Sequence, residues 1–149
     1  QLLKYNCTTS QTIIGKAECF KYVLFDENQP RFTDWALSLD LVKKYKLYYQ
    51  QAVLVDVYQQ KDSITKNPQK GVRGMEMLFE KHKDAILSDP EIVESFFRKK
   101  ASFVCKTRKN PKDEMKIIFK YNPNAANFAK YLLAVFNLYK LLFKIKNSL

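Results

Sequence analysis

Nothing in this sequence constrains the fold more than its last apolar stretch, residues 124–146, which reads NAANFAKYLLAVFNLYKLLFKIK. At about 100° per residue, Lys130, Asn137, Lys140 and Lys144 share one narrow strip. Phe128, Tyr131, Leu132, Leu133, Val135, Phe136, Leu138, Leu141, Leu142 and Phe143 cover most of the remaining circumference. A helix apolar on most of its sides has to be surrounded by protein, so the pattern predicts a buried C-terminal helix with the other elements packed around it. Asn122-Pro123-Asn124 supplies its start: an Asn side chain accepts from free first-turn amides, and proline blocks the continuation of any upstream helix. Lys144 and Lys146 stand at the end where the helix dipole favours cations. The apolar run Tyr131 to Ile145 is shorter than the roughly 20 residues a membrane span requires, and Lys140 and Lys144 interrupt it. No transmembrane span is expected, and interfacial membrane contact by this helix is the alternative to core burial.

The chain has 149 residues, enough for one domain, 1–149, that buries roughly 68 to 70% of its unfolded surface. Aromatic residues at 14% and only three glycines exclude disorder and favour ordered, largely helical structure over a loop-rich fold. Residues 1–11 are polar and aperiodic and read as an N-terminal arm. Prolines 30, 68, 90, 111 and 123 divide the remainder into segments of one or two elements.

Residues Thr12 to Ile14 and Cys19 to Phe25, around Gly15, are rich in β-branched and aromatic types and predict two short strands. Thr33 and Asp34 mark a helix start, with Trp35, Leu39, Val42, Tyr49 and Val53 along one face. Residues 52–58, AVLVDVY, either continue that helix or form a strand. Residues 61–70 are loop by composition, and 71–87 resume a helical period with Met75, Leu78 or Phe79, His82 and Ile86 inward. Ser88-Asp89-Pro90-Glu91 starts another helix, expected to break near Arg98 to Lys100. Residues 102–107 and 115–121 then alternate with period two around the turn chemistry of 109–113, which predicts a β-hairpin. The expected fold is mainly α-helical α+β: about four helices around a buried C-terminal helix, with one or two small antiparallel β-hairpins. An all-α helical bundle is the alternative.

For function, the sequence carries no GxSxG, P-loop, GxGxxG or HExxH motif, so a non-enzymatic role is expected and no cofactor is implied. Glu76 with Glu80 and Glu91 with Glu94 share helix faces, but among lysines, as solvated carboxylates do. His82 is the single histidine and no Cys/His spacing suits zinc, so no metal site is expected. Cys7, Cys19 and Cys105 allow one disulfide, Cys105 being the favoured participant, or none. Asn6-Cys7-Thr8 fits the N-glycosylation acceptor pattern. Neither observation decides between an intracellular and a secreted or luminal setting.

The net charge is +11, and seven of those charges fall between Arg98 and Lys120. Arg98, Lys99, Lys100, Lys106, Arg108, Lys109, Lys112, Lys116 and Lys120 stand there against Asp113 and Glu114. Cations spaced along a ribbon match phosphates spaced along a backbone, so the leading expectation is a binding or assembly module that contacts a polyanion, nucleic acid first. The alternative is a secreted or luminal disulfide-containing helical protein that binds a small hydrophobic ligand or a protein partner.

Overall fold

The computed structural model of the chain describes residues 1–53, 55, 56, 58 and 67–148, and the side chains of all of these except 144 and 146–148. Among the described residues the regular structure is entirely helical. A 3-10 turn, Ser10–Thr12, precedes seven α-helices: α1 Cys19–Tyr22, α2 Thr33–Lys44, α3 Pro68–Leu87, α4 Pro90–Lys106, α5 Lys112–Tyr121, α6 Ala125–Val135 and α7 Tyr139–Ser148. The α+β expectation is therefore corrected to all-α.

Three of the helices begin where the sequence sets a capping side chain at the entry. The Asp89 carboxylate accepts from the backbone N–H of Glu91 at 2.7 Å and Ile92 at 3.4 Å, with Pro90 opening α4. The Asn67 side chain accepts from Lys70 N–H at 3.1 Å ahead of α3, and Asn124 accepts from Asn127 N–H at 2.9 Å ahead of α6. Helix α2 lacks such a cap, because Phe32, at φ 65°, and not Thr33, holds the position before its first turn. It ends at Lys44, where Tyr45 turns to extended backbone. Tyr49 and Val53, expected on its buried face, are exposed. The described residues of 52–58 form neither helix nor strand, while 54 and 57 lie outside the described residues, as do 61–66 of the expected loop; 68–70 of that loop are instead the first turn of α3, because Asn67 caps it and Pro68 is compatible with a first helical position.

Helix α4 occupies the centre that the sequence reading gave to the C-terminal helix. It packs on α3, α5 and α7, and its Val93, Phe96, Phe97, Ala101, Phe103 and Val104 are buried. Phe96 meets Trp35 at 5.9 Å between ring centroids and Phe97 at 5.5 Å, and Phe79 of α3 meets Phe97 edge-on at 5.2 Å. The close approach of α3 depends on two glycines. A Cβ on Gly71 would stand 2.6 Å from the Phe103 ring, and one on Gly74 would stand 2.7 Å from the Arg31 carbonyl oxygen.

The arm at residues 1–11 is held by packing and hydrogen bonds. Leu2 and Leu3 lie against the core, the Trp35 indole N–H donates to Leu2 O at 2.7 Å, and Ser95 Oγ donates to Lys4 O at 2.7 Å. Lys4 also pairs with Glu91.

Neither expected β element forms. Residues 12–14 only close the 3-10 turn, and the stretch from Cys19 to Phe25 contains the single turn α1. Residues 102–107 are the last turns of α4, and 115–121 belong to α5. Six or seven residues of alternation fit a helix as readily when their apolar members also recur three or four apart. Met115 and Ile118 do so, and both are buried.

The expected break near Arg98 is absent because each cation in the triplet has a partner on its own side of α4. Arg98 pairs with Glu94 at 2.5 Å, Lys99 lies over the rings of Phe32 and Trp35, and Lys100 meets Glu114 at 3.1 Å and Glu76 at 3.5 Å.

The expected continuous C-terminal helix is two helices. Asn137, at φ 61°, ends α6 in a Schellman motif, with Asn137 N–H donating to Ala134 O at 3.0 Å and Leu138 N–H to Leu133 O at 2.7 Å. The pair does not sit at the centre. Ala134 and Asn127 are buried, but Phe136 is 69% exposed, Leu138 49% and Leu142 47%.

Candidate functional site

Helix α4 ends as α6 does. Arg108, at φ 63°, donates its N–H to Cys105 O at 2.9 Å, and Lys109 N–H donates to Val104 O at 3.2 Å, a second Schellman closure. The carbonyl end of α4 is thereby closed by a loop that carries two cations outward, since Arg108 and Lys109 are both exposed. The cations also suit the negative end of the helix dipole. Pro111 then lets α5 begin at Lys112 after a short turn.

Along α5, spacing by four residues places Lys112, Lys116 and Lys120 on one exposed stripe, opposite the buried Glu114, Met115 and Ile118. Helical geometry sets Phe119 at the edge of that stripe. Phe119 packs on α6, 5.2 Å from the Phe128 ring and stacked on Tyr131 at 6.1 Å.

The nine cations singled out by the sequence therefore separate into two groups. Arg98, Lys99 and Lys100 are occupied by the contacts already described, and burial, aided by the neighbouring Arg31 charge, lowers the pKa of Lys99. Lys106, Arg108, Lys109, Lys112, Lys116 and Lys120 form a corner at the end of α4 and along α5. All six are exposed, and none has an ion-pair partner among the described residues, although Lys106 and Lys120 touch the rings of Phe103 and Tyr121. Glu114 is neutralised by Lys100, and Asp113, the other acid of the segment, is exposed and has no ion-pair partner among the described residues.

A second surface adjoins this corner that the sequence reading placed in the interior. Asn110, in the basic loop, donates its side-chain amide to Ala134 O at 2.7 Å, tying the loop to the last turn of α6. Next to that carbonyl, Val135, Phe136 and Leu138 are exposed at the α6–α7 turn. Phe128 and Leu132 extend the apolar surface along α6, and Leu141, Leu142 and Ile145 extend it along α7. One sequence signal could have located the turn. Asn is the residue other than glycine most at ease in the left-handed C-cap position, and Asn137 interrupts an otherwise apolar run.

The remaining candidate groups lie apart from this corner. Cys7 is an exposed free thiol, Cys19 and Cys105 are half-buried free thiols, and burial pushes the Cys105 thiol up to about 11. Cys105 is thus a thiol and not a nucleophilic thiolate near neutral pH. The Asn6 side chain accepts from Thr8 N–H and Thr8 Oγ, both at 3.4 Å. His82 is buried at a kink in α3, with its Nε2 unpartnered and Asp40 Oδ1 3.8 Å away. Among the described residues no group of three His, Cys, Asp or Glu is placed to hold a metal ion, and no helix is long and apolar enough to cross a membrane.

No protein-family model matches the chain, and no match was found among curated proteins or solved structures.

Proposed function

We propose that the protein is a non-enzymatic binding module that docks a polyanion on the corner formed by the end of α4 and the outer stripe of α5. The observation that carries this reading is the group of six exposed cations, from Lys106 to Lys120, without ion-pair partners among the described residues. Arg98 and Lys100, by contrast, are matched within the fold by Glu94, Glu76 and Glu114. Unmatched cations gathered on one corner repel each other and lower their energy when phosphates or other anions approach. The reading no longer includes Arg98, Lys99 and Lys100, whose charges are engaged within the fold. The β-ribbon that favoured a nucleic-acid groove is also absent, so the polyanion is defined here by its charge alone.

A mixed-sequence DNA duplex serves as a polyanion of known charge spacing for the test. Native protein should bind it with an affinity that falls with salt, by a slope of about −0.9 per phosphate neutralised. Replacing Arg108, Lys109 and Lys112 together with Ala should reduce the slope by roughly two to three units, uniformly across sequences, since backbone contacts carry no base information. The three side chains are exposed, so the fold should survive. A normally folded triple variant with an unchanged slope overturns the reading.

A further inference from the structure

We infer that the polyanion this corner meets is the headgroup layer of an anionic lipid bilayer, with the α6–α7 turn inserted beneath it. The inference rests on the polyanion reading and adds the identity of the partner.

Its basis is the juxtaposition of two surfaces that a nucleic acid would not need together. The Asn110–Ala134 hydrogen bond fixes the loop carrying Arg108 and Lys109 against the turn carrying Val135, Phe136 and Leu138. The Phe119–Phe128 contact sets the lysine stripe of α5 beside the exposed side of α6 in the same way. Exposed apolar side chains bordered by unpaired cations are what an anionic interface rewards. The apolar groups leave water for the acyl boundary while the cations remain at the phosphate level. A duplex would satisfy the cations and leave Phe136 and Leu138 in water. A second copy of the chain would cover the apolar turn, but at the cost of bringing two like-charged corners together. No described helix is long and apolar enough to cross a membrane, so the fit is to lying on the bilayer and not to spanning it. An anionic lipid layer therefore matches both halves of the surface, its headgroups the cations and its acyl boundary the apolar turn, and each added contact of either kind strengthens binding.

The experiment compares flotation with phosphatidylcholine vesicles, with and without phosphatidylserine, and binding to the same DNA duplex. Three variants are used: Phe136→Ser with Leu138→Ser, the Arg108, Lys109 and Lys112 triple alanine, and Phe136→Trp. Thermal melts check that each is folded. Native protein should float with the phosphatidylserine vesicles and not with phosphatidylcholine alone. The apolar double variant should lose vesicle affinity by about tenfold or more while keeping native duplex affinity. The triple alanine should lose affinity for both. The emission of Phe136→Trp should shift to the blue on phosphatidylserine vesicles, over the constant signal of the buried Trp35.

Unchanged vesicle binding by the folded double variant, or no spectral shift, overturns the lipid assignment and leaves the polyanion reading intact. So does a loss of duplex affinity in the double variant, which would make the apolar turn part of a nucleic-acid site. A native dimer dispersed by the double substitution would likewise assign the turn to a second copy. An unchanged salt slope in the triple alanine overturns the polyanion reading itself, and the lipid inference with it.

Discussion

Arg108 occupies a backbone position that glycine would take at lower energy. At φ 63° its Cβ crowds the neighbouring carbonyl, a cost that glycine avoids, and its N–H completes the closure of α4 through Cys105 O. Arg108→Gly should therefore raise stability by about 1 kcal/mol in urea unfolding, while reducing the salt slope of duplex binding by about one unit. Opposite movements of stability and binding would mark a side chain retained for what it contacts outside the protein. Equal losses of both would instead make Arg108 part of the structural frame. Asn137 shares the left-handed conformation at the end of α6 but contributes no charge, so it offers a control for the backbone effect alone.

At the scale of elements, the prediction is an inversion of what hydropathy suggests. Phe96 is fully buried against Trp35, Phe79 and Phe97, and Phe96→Ala should cost about 3 to 5 kcal/mol. Leu138→Ala and Leu142→Ala, in the most apolar stretch of the chain, should each cost only about 0.5 kcal/mol in chemical denaturation, because both are about half exposed. The sequence made the caps of α4 and α6 legible, since Asp89 and Asn124 act within their own turn and require no knowledge of the rest, whereas the Asn67 cap of α3 was hidden in a stretch whose composition reads as loop. The inward face of α3 was legible for the same reason, with Met75, Leu78, His82 and Ile86 buried at their helical spacing.

What failed depended on partners distant in sequence. Residues 98–100 read as a break because two of the three cations find their neighbours far along the chain, Lys99 at Phe32 and Trp35 and Lys100 at Glu76 and Glu114. Residues 102–107 and 115–121 read as strands because their alternation was too short to exclude a helix. Of the candidate site, the cations were visible as a charge run, but not which of them were free. The apolar turn beside them reads as core, since hydropathy reports what a helix covers itself with and not what covers the helix.

Across the whole molecule, charge and burial combine into a pH dependence. His82 is buried, and its pKa is lowered to about 4, first by burial and then by Lys43, with Asp40 opposing and Lys81 adding to the decrease. An unfolded histidine takes up its proton near pH 6.5, whereas the folded one stays neutral until about pH 4. Between those values the unfolded state holds more protons, so stability falls as the pH drops through the window and no further His82 contribution is lost below it. Denaturation at about pH 7 and pH 5 should show a decrease of about 2 kcal/mol from this group, absent in His82→Leu.

The N-terminal arm gives the molecule one more property. Trp35 is the single tryptophan of the chain, has no exposure to solvent, and donates its indole N–H to the carbonyl of Leu2. Lifting the arm would strip that donor of its acceptor and open the ring to water while α2, which carries Trp35, could remain in place. Native emission is thus a built-in gauge of the first few residues, so that an optical signal ordinarily taken as a measure of global unfolding would respond in this protein to the release of a single strap.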